Sequence, residues 1–362
     1  MTSLPSVSVV MPTYQRRESL RRTLHALAEV EYPSHLVELV LVCDGCTDGS
    51  ADMARDLRLP FHARVLEQVN QGPAAARNLA LVHARGRLVL FLDDDVLPST
   101  GLLSAHARAH LEAPDEERVV MGTLRPPDAR RSPWVRWELD TVVRQYQAMT
   151  TGEYRPSPRQ FYTGNASVAL EHVTAVGGFD TTFRRAEDVE LAFRLQTRGL
   201  RFVFCPQAEA VHLPDRSFRS WSGAASQYGR NDVILGLRRG RPDMLAAVAS
   251  EFWERNRLNR LLVRLLLRVK RAERALAAPF AAAAWLSLRL GRRNLSHAIC
   301  SALFNVSYWR GVSDELGGPG AARELIRLGE RSQEVDWAAV PERFRPSHGQ
   351  ARERRIHWGS TR

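Results

Sequence analysis

The chain has 362 residues, of which 44% are hydrophobic and 25% are charged, a composition that excludes a mainly disordered protein. This length suggests two domains, or one large α/β domain with an appendage. The net charge is +11, and such an excess suggests a polyanionic partner such as nucleic acid, anionic lipid or phosphates.

The excess positive charge belongs to one segment. Residues 215–310 contain 18 basic and 6 acidic residues, whereas residues 1–214 contain 24 and 26 and residues 311–362 contain 9 and 8. The first 214 residues are therefore slightly acidic. We expect no nucleic-acid partner for the chain.

Cysteine usage and apolar runs argue against a secreted or membrane-spanning protein. The 4 Cys are too few for a disulfide framework, and the first residues have no basic stretch followed by an apolar segment. The longest apolar run, residues 275–288, contains Pro279 and is shorter than the roughly 20 residues of a spanning helix. We predict a cytoplasmic protein without a membrane span.

Short apolar runs alternate with helical patterns over residues 1–110. Strands are predicted at 7–11, 39–43, 65–66 and 87–92, and helices at 16–30, 50–57 and 74–83. This alternation is typical of a parallel sheet with helices on both faces. In such sheets, ligands bind beyond the carboxyl ends of the strands.

The second half of the chain has a different pattern. Clusters of Pro and Arg indicate surface loops over residues 111–160. A loop at 163–167, a helix at 186–198 and a strand at 201–204 are predicted next. Residues 216–310 have a helical, basic pattern, and the polar residues after 317 are predicted to form a flexible tail.

Three adjacent carboxylates, Asp93, Asp94 and Asp95, directly follow an apolar strand. They repel one another, so a bound divalent cation would compensate their charge. In an extended segment, Asp93 and Asp95 point the same way. The alternative is a helix cap with a solvated acidic turn.

Further candidate residues lie at the ends of other predicted elements. Asp188 opens a predicted helix, where the helix dipole favours an ionised carboxylate that can accept a proton; plain capping is the alternative. Asp44 lies in the turn after the second strand, where it could reach a ligand or form the turn with Gly45. His212 follows a strand and is either a ligand or a structural histidine.

Six motifs in this order resemble family 2 glycosyltransferases, over about residues 6–215. They are VSVVMPTYQR at 7–16, VCDGCTDGS at 42–50, NQGPAAARN at 70–78, FLDDD at 91–95, GGFD at 177–180 and EDVELAFR at 187–194. Three positions depart from the family pattern: Gln15 replaces Asn, Cys43 replaces the first Asp of the second motif, and Cys46 replaces Ser.

The resemblance implies an α/β chain with the GT-A fold, in which a Rossmann-like, nucleotide-binding mixed sheet is flanked by helices. We expect a catalytic domain over residues 1–215, with the nucleotide-sugar part at about 1–110 and the acceptor part at about 111–215. A basic, mainly helical region would follow at 216–316, and the polar tail at 317–362.

The family's residue roles transfer only onto matching positions. Asp188 corresponds to the catalytic base. Nucleotide contacts correspond to Pro12, Thr13, Asp44, Arg77, Asp93 and Asp94. A divalent metal, Mn or Mg, would be bound by Asp95, Asp93 and His212. Candidates for acceptor contacts are Thr163, Gly164, Asn165, Glu187 and Trp221, although a core position is an equal alternative for Trp221.

The resemblance implies an inverting, metal-dependent glycosyltransferase. It would move a sugar from a nucleotide-sugar donor, with a UDP-sugar favoured, to a hydroxyl of a glycan or lipid-linked acceptor in cell-surface glycan or glycolipid biosynthesis. One alternative is a nucleotidyltransferase acting on sugar phosphates, which would also use carboxylates and a metal on an α/β sheet. Another is a non-catalytic protein that binds sugar nucleotides or membranes.

The basic segment contains an amphipathic pattern over residues 252–274. Arginines recur at helical spacing at 257, 260, 264, 268 and 271, and apolar residues at 258, 261, 262, 265 and 269 lie on another side. Such a helix suits an anionic membrane surface, which would place the protein peripherally on the inner face of the cell membrane. The alternative is a helix that packs its leucines on the rest of the protein.

Overall fold

The computed structural model describes residues 3–113, 117–127, 131–183, 185–267 and 270–344, without the side chains of residues 270–277. The described chain divides into two compact units. Unit 1 comprises the residues up to Trp221 together with Ala281–Cys300, and unit 2 comprises Ser222–Phe280 and the described residues from Ser301 onwards.

A mixed sheet forms the centre of unit 1. Its strands are β1 (Val7–Thr13), β2 (Val37–Asp44), β3 (His62–Gln68), β4 (Leu88–Leu92), β5 (Val96–Pro98), β6 (Arg118–Arg125), β7 (Asn165–Ala169) and β8 (Arg201–His212). Among the described residues, these eight strands pair in the order β3-β2-β1-β4-β7-β6-β8-β5. β1 to β4 are mutually parallel where they pair, as is β6 with β8, whereas β7 runs antiparallel to both its neighbours.

Helices flank the sheet and fill the C-terminal region. In chain order they are α1 (Arg17–Ala28), α2 (Ser50–Asp56), α3 (Pro73–His83), α4 (Leu102–Leu111), α5 (Pro133–Thr150), α6 (Leu170–Ala175), α7 (Glu187–Thr197), α8 (Phe218–Arg238), α9 (Pro242–Glu254), α10 (Arg257–Leu266), α11 (Lys270–Arg289), α12 (Arg293–Glu315), α13 (Pro319–Glu330) and α14 (Val340–Arg343). Short 3₁₀ turns lie at Ser34–Leu36, Pro158–Gln160 and Ser332–Glu334. The predicted α/β sheet and helical C-terminal region are confirmed.

The strands predicted from continuous apolar runs form the core of unit 1. Every residue of β4 is buried, and β1 and β2 each have one residue that is not. Strands buried on both faces have apolar residues at successive positions because helices cover both sides of a parallel sheet.

The prediction of surface loops over residues 111–160 is wrong. Arg118–Arg125 forms β6, which pairs with β7 and β8, and Pro133–Thr150 forms the 18-residue helix α5. Proline at position 133 begins this helix, because the first turn needs no intrahelical N–H donor. The predicted loop at 163–167 likewise differs, since Asn165 already belongs to β7.

The C-terminal residues are more ordered than a polar tail. Helix α13 buries Leu325 and Ile326 in the hydrophobic core of unit 2. Its apolar residues lie on one helical face, which the overall polarity of the segment conceals. Residues 345–362 of the expected tail lie outside the described residues. No described helix is long and apolar enough to cross a membrane.

Candidate active site

The candidate site lies at the carboxyl edge of the parallel strands. β1 pairs with β2 on one side and with β4 on the other, all in parallel. Thr13 and Asp44 are the last residues of β1 and β2, and Asp93 directly follows β4. The topology therefore brings three of the predicted nucleotide-binding residues to one edge of the sheet.

The three consecutive aspartates lie in the turn between β4 and β5 and have different partners. The Oδ1 of Asp93 lies 2.8 Å from Nη2 of Arg77, whereas the Oδ2 of Asp95 lies 2.7 Å from Nη1 of Arg16. The chain turns at residues 94–95. The segment is therefore not extended, as the prediction of a shared side for Asp93 and Asp95 assumed.

Asp94 ties the acidic turn to the turn after β1. The Oγ1 of Thr13 donates to its Oδ2 at 2.6 Å, and Nη1 of Arg16 donates to its Oδ1 at 3.1 Å. Burial raises the pKa of Asp94 to about 6, although the charge of Arg16 opposes this shift. Pro12 lies beside Thr13 at the end of β1, half-buried.

The structure brings Asp95 and His212 together. β5 pairs antiparallel with β8 so that Val96 lies opposite His212, and the Nε2 of His212 lies 3.5 Å from the Oδ1 of Asp95. Burial alone would raise the pKa of Asp95, but His212 and Arg16 together hold it well below its usual range. Asp95 is thus an ionised carboxylate at neutral pH.

This pair supplies part of a donor set for a divalent cation. Carboxylate oxygen and imidazole nitrogen both bind divalent metals. The described residues include no cluster of three or more His, Cys, Asp or Glu side chains suited to a metal. Asp95 and His212 therefore fit a cation only as an incomplete set, to which a bound ligand would have to contribute, and Arg16, with a side chain 41% exposed, would have to give way.

Arg77 links the acidic turn to helix α7. It is 4% exposed, and its Nη2 and Nη1 each lie 2.8 Å from a carboxylate oxygen, of Asp93 and Glu187 respectively. The guanidinium lies over the ring of Phe179. Its Nε is buried and has no hydrogen-bond partner among the described residues. Both terminal nitrogens of this predicted nucleotide contact are thus engaged by carboxylates.

Asp188 lies in the first turn of α7. The preceding Ala186 has a φ of 56°, in the left-handed region, which costs a residue with a Cβ on the order of 1 kcal/mol. Burial and the adjacent Glu187 raise the pKa of Asp188 to about 7, while Arg77 opposes the shift. A carboxylate with this pKa is matched to accept a proton near neutral pH.

Asp44 organises the loop after β3. Its Oδ1 accepts from Nε2 of Gln68 at 2.7 Å and from the N–H of Gln71 at 2.8 Å, and its Oδ2 accepts from the N–H of Gly72 at 2.8 Å. Asp44 is 3% exposed. The carboxylate thus fixes residues 70–72 beside the sheet edge, and its contact with a nucleobase stays a prediction.

The predicted acceptor residues differ in their surroundings. Thr163 and Asn165 are buried, and the Asn165 amide donates to the carbonyls of Thr123 and Ala208, which joins three strands. A Cβ on Gly164 would lie 3.3 Å from the Oδ2 of Asp93, so Gly164 adjoins the acidic turn.

The two other acceptor candidates are engaged within the protein. Trp221 is 1% exposed and its ring packs edge-on against Trp137. This burial favours core packing, the alternative that the sequence left open. Glu187 is paired with Arg77 inside the site.

Arg16 is the site residue that the sequence analysis missed. It contacts both Asp94 and Asp95 although it is 78 residues distant from Asp94 in the chain. The three adjacent carboxylates could have pointed to it, because their charge can be compensated by a basic side chain as well as by a metal ion. Gln15 was also missed as a connector: its amide group bonds both the hydroxyl and the N–H of Thr47.

Comparison with known proteins agrees with these motifs. Residues 8–187 match the profile described as Glycosyl transferase family 2. The chain is 27% identical over 256 residues to the uncharacterized glycosyltransferase YfnE of Bacillus subtilis, covering 57% of this chain and 64% of YfnE. It is 29% identical over 237 residues to a validoxylamine A glucosyltransferase of Streptomyces hygroscopicus, covering 58% of this chain and 56% of that enzyme. The chain thus spans less than two thirds of the length of either relative.

Solved structures share the fold. A mannosyltransferase from Pyrobaculum calidifontis, in complex with GDP-Man and Mn²⁺, superposes with a TM-score of 0.56 at 22% identity and covers 85% of this chain and 88% of its own. TarS of S. aureus, in complex with UDP-GlcNAc, superposes with a TM-score of 0.56 at 16% identity and covers 94% of this chain and 91% of its own.

Proposed function

The chain belongs to glycosyltransferase family 2 and has the GT-A fold, and from this premise we propose that it is an inverting, metal-dependent transferase with Asp188 as its base. Its donor would be a nucleotide sugar and its acceptor a hydroxyl of a glycan or lipid-linked compound in cell-surface glycan or glycolipid biosynthesis. The observation that carries the proposal is the bridge made by Arg77, which holds Asp93 and the neighbour of Asp188 on one guanidinium.

The proposed reaction is a single displacement. Asp188 takes the proton of the acceptor hydroxyl while that oxygen attacks the anomeric carbon of the sugar. The bond from that carbon to the diphosphate breaks, and the nucleoside diphosphate leaves from the opposite face, so the configuration is inverted. The raised pKa of Asp188, about 7, supports its role as the proton acceptor.

A divalent ion, Mn or Mg, would be held by Asp95 and His212 with oxygens of the donor. When bound, it neutralises negative charge that develops on the leaving diphosphate. Asp93, which we predicted as a third ligand, would instead keep Arg77 in place. Mn²⁺ in the Pyrobaculum enzyme supports the use of a metal.

The proposal says less about the nucleobase of the donor than about its diphosphate. Asp44 is at the position expected to contact the base, and UDP remains our favoured nucleotide, supported by UDP-GlcNAc in the TarS complex. The Pyrobaculum enzyme binds GDP-Man, so a thermal-shift panel should include UDP- and GDP-sugars, each with and without Mn²⁺. A shift that requires a GDP-sugar would overturn the preference for uridine.

Substitution of the base tests the reaction. We expect Asp188→Asn to lower turnover by about 100- to 10,000-fold while it keeps donor affinity, because the amide has the shape of the carboxylate but accepts no proton. Nucleoside diphosphate release and donor titration measure the two effects. Asp52→Asn, an exposed aspartate on α2, is the matched control. Turnover retained in Asp188→Asn would contradict the assignment.

Helix α10 supports a peripheral contact with an anionic membrane. Leu258, Leu261 and Leu265 are 61%, 53% and 50% exposed, and Arg257 and Arg264 are exposed beside them. The helix buries Val263 on its opposite side. Apolar side chains flanked by arginines suit the boundary between lipid headgroups and acyl chains. Residues 268 and 269 and the side chain of Arg271 lie outside the described residues.

Vesicle flotation tests this contact. We expect the chain to bind vesicles containing anionic lipid more strongly than neutral ones, and Leu258→Ser combined with Leu261→Ser to weaken that binding. Val82→Ser changes an apolar residue outside α10 that is 78% exposed, and it serves as the control. Binding that does not depend on lipid charge at physiological salt would favour a solvated helix face instead.

A further inference from the structure

Arg16 lies between the carboxylates of the acidic turn. Its Nη1 is 2.7 Å from the Oδ2 of Asp95 and 3.1 Å from the Oδ1 of Asp94. On the other side of Asp95, the Nε2 of His212 is 3.5 Å from the Oδ1. Divalent cations bind carboxylate oxygens, so a cation that takes Asp95 as a ligand competes with Arg16 for the same carboxylate.

The backbone on both sides of Arg16 is held by the turn after β2. The side-chain amide of Gln15 bonds the hydroxyl and the N–H of Thr47. The N–H of Arg17 donates to the Oδ2 of Asp48 at 2.9 Å. Arg16 therefore begins from a fixed point, and only its side chain has to move for the guanidinium to leave the two aspartates.

The side chain of Arg16 is open to solvent, unlike that of the second arginine in the site. Its exposed fraction is 41%, compared with 5% for Arg77. Arg77 lies between carboxylates of two different elements, Asp93 and Glu187, and is enclosed there. Arg16 is thus the arginine that a ligand can displace without unpacking the site.

A displaced Arg16 has a second anionic partner at this edge of the sheet. It follows β1, whose last residue, Thr13, is a predicted nucleotide contact. The proposed function places the donor diphosphate beside Asp95. A guanidinium binds phosphate oxygens through paired hydrogen bonds. A cation on Asp95 would repel Arg16, whereas the diphosphate attracts both positive charges.

We propose that Arg16 occupies the position of the divalent cation in the donor-free enzyme and moves to the donor diphosphate when cation and nucleotide sugar bind. The inference rests on the proposed function, from which it takes the cation and the donor. It makes the two ligands depend on each other. The cation alone must break the ion pairs of Arg16 without replacing them, whereas the diphosphate supplies a new partner for the released guanidinium.

Mn²⁺ binding to the full chain without nucleotide tests the first half of the proposal, with the electron paramagnetic resonance signal of free Mn²⁺ as the readout. We expect Arg16→Met to bind Mn²⁺ about tenfold more tightly or better, since charged hydrogen bonds no longer have to be broken. Arg16→Lys, a milder change that keeps the charge, should have intermediate affinity. Arg22→Met removes the same charge from an exposed position on α1 and should change nothing.

UDP binding at saturating Mn²⁺, measured by calorimetry, tests the second half. Here we expect Arg16→Met to weaken UDP by about tenfold, because the diphosphate loses a charged contact. The same substitution should therefore strengthen one ligand and weaken the other, whereas a purely structural role for Arg16 would weaken both.

Two results would overturn the proposal. One is Mn²⁺ affinity that Arg16→Met and Arg16→Lys leave unchanged or lower, and the other is UDP affinity that Arg16→Met leaves unchanged. Absence of UDP binding to the unmodified chain in the presence of Mn²⁺ would instead count against the proposed function. The Mn²⁺ titration without nucleotide distinguishes these cases, because it does not depend on the donor.

Discussion

Two arginines organise the charges of the site, and each bridges a pair of carboxylates. Arg16 contacts Asp94 and Asp95, and Arg77 contacts Asp93 and Glu187. Four carboxylates thus face two guanidinium groups before Asp188 is counted. The uncompensated negative charge explains why neighbouring Glu187 helps to raise the pKa of Asp188. A divalent cation would bring the net charge of these six groups to zero.

The pH dependence of turnover follows from Asp188. The base must be ionised to accept a proton, and burial raises its pKa to about 7. We therefore expect kcat/KM of the free enzyme to rise with pH through about 7 and to fall about tenfold for each pH unit below it. A pH–rate profile between pH 5 and pH 9 measures this. An acidic limb near pH 4 would contradict the raised pKa.

Loss of Arg77 should destabilise the fold as well as the site. Arg77→Met would leave Asp93 and the buried Glu187 without a counter-charge, and breaking a buried pair costs about 3–5 kcal/mol. Urea unfolding measures the free energy of unfolding, with the exposed Arg58→Met as control. In the double variant Arg77→Met, Glu187→Leu, the loss should be smaller than the sum of the single losses. Strict additivity would indicate that the pair is not coupled.

The individual site residues could be predicted from the sequence better than their partners. Asp93, Asp94 and Asp95 were identifiable because they follow an apolar strand. Their different hydrogen-bond partners could not be predicted. These depend on the turn at residues 94–95 and on Arg16 and Arg77, which lie on other elements. The pairing of β5 with β8 that carries His212 to Asp95 depends on tertiary structure that no local pattern records.

At the scale of elements, the strands that are buried on both faces were the ones that the sequence predicted. β1, β2 and β4 are continuous apolar runs because both of their faces are covered. β7 contains Asn165 and Ser167, which were assigned to a loop; they are buried because their polar groups bond His106 and neighbouring strands. α5 was missed because its first residues, with Pro133 among them, have the composition of a loop.

The polar contacts between α4 and β7 should make the fold sensitive to acid. His106 contacts Asn165 and Ser167, and His110 contacts Ser167. Burial lowers the pKa of His106 to about 4 and that of His110 to about 3. Both pKa values lie below that of an unfolded histidine, about 6.5. The unfolded chain therefore binds more protons as the pH falls, and stability is lost below pH 6.5.

This loss should amount to about 1.4 kcal/mol per histidine for each pH unit between pH 6 and pH 4. Urea unfolding at several pH values measures it. Replacement of both histidines by Gln should flatten the dependence, whereas replacement of the exposed His25 should not. An equal slope in the double variant would show that other groups cause the acid sensitivity.

At the scale of the whole molecule, the residues of the proposed active site lie in unit 1, which is not one continuous stretch of chain. Ala281–Cys300 belongs to this unit. Within it, Trp285 packs edge-on against Trp134, and Asp140 lies 3.0 Å from His297 and 3.3 Å from Arg293. The late segment therefore packs against α5.

A chain that ends at residue 221 should fold poorly for this reason. It would lack the partners of Trp134 and Asp140, and apolar surface of α5 would become exposed. We expect a lower melting temperature and stronger binding of a hydrophobic dye than for a chain in which residues 1–221 are joined to 281–300 by a Gly/Ser linker. Equal stability of the two chains would mean that the late segment contributes little.

The discontinuous unit also has a consequence for synthesis on the ribosome. The sheet and its acidic turn are made first, but residues 281–300 leave the ribosome only after 222–280 have been translated. Domains generally fold from the N-terminus as they emerge. The sheet would therefore form while α5 still lacks its contacts with residues 281–300. Residues 222–280 of unit 2 are thus translated between the first and the last residues of unit 1, and the rest of unit 2 follows from residue 301.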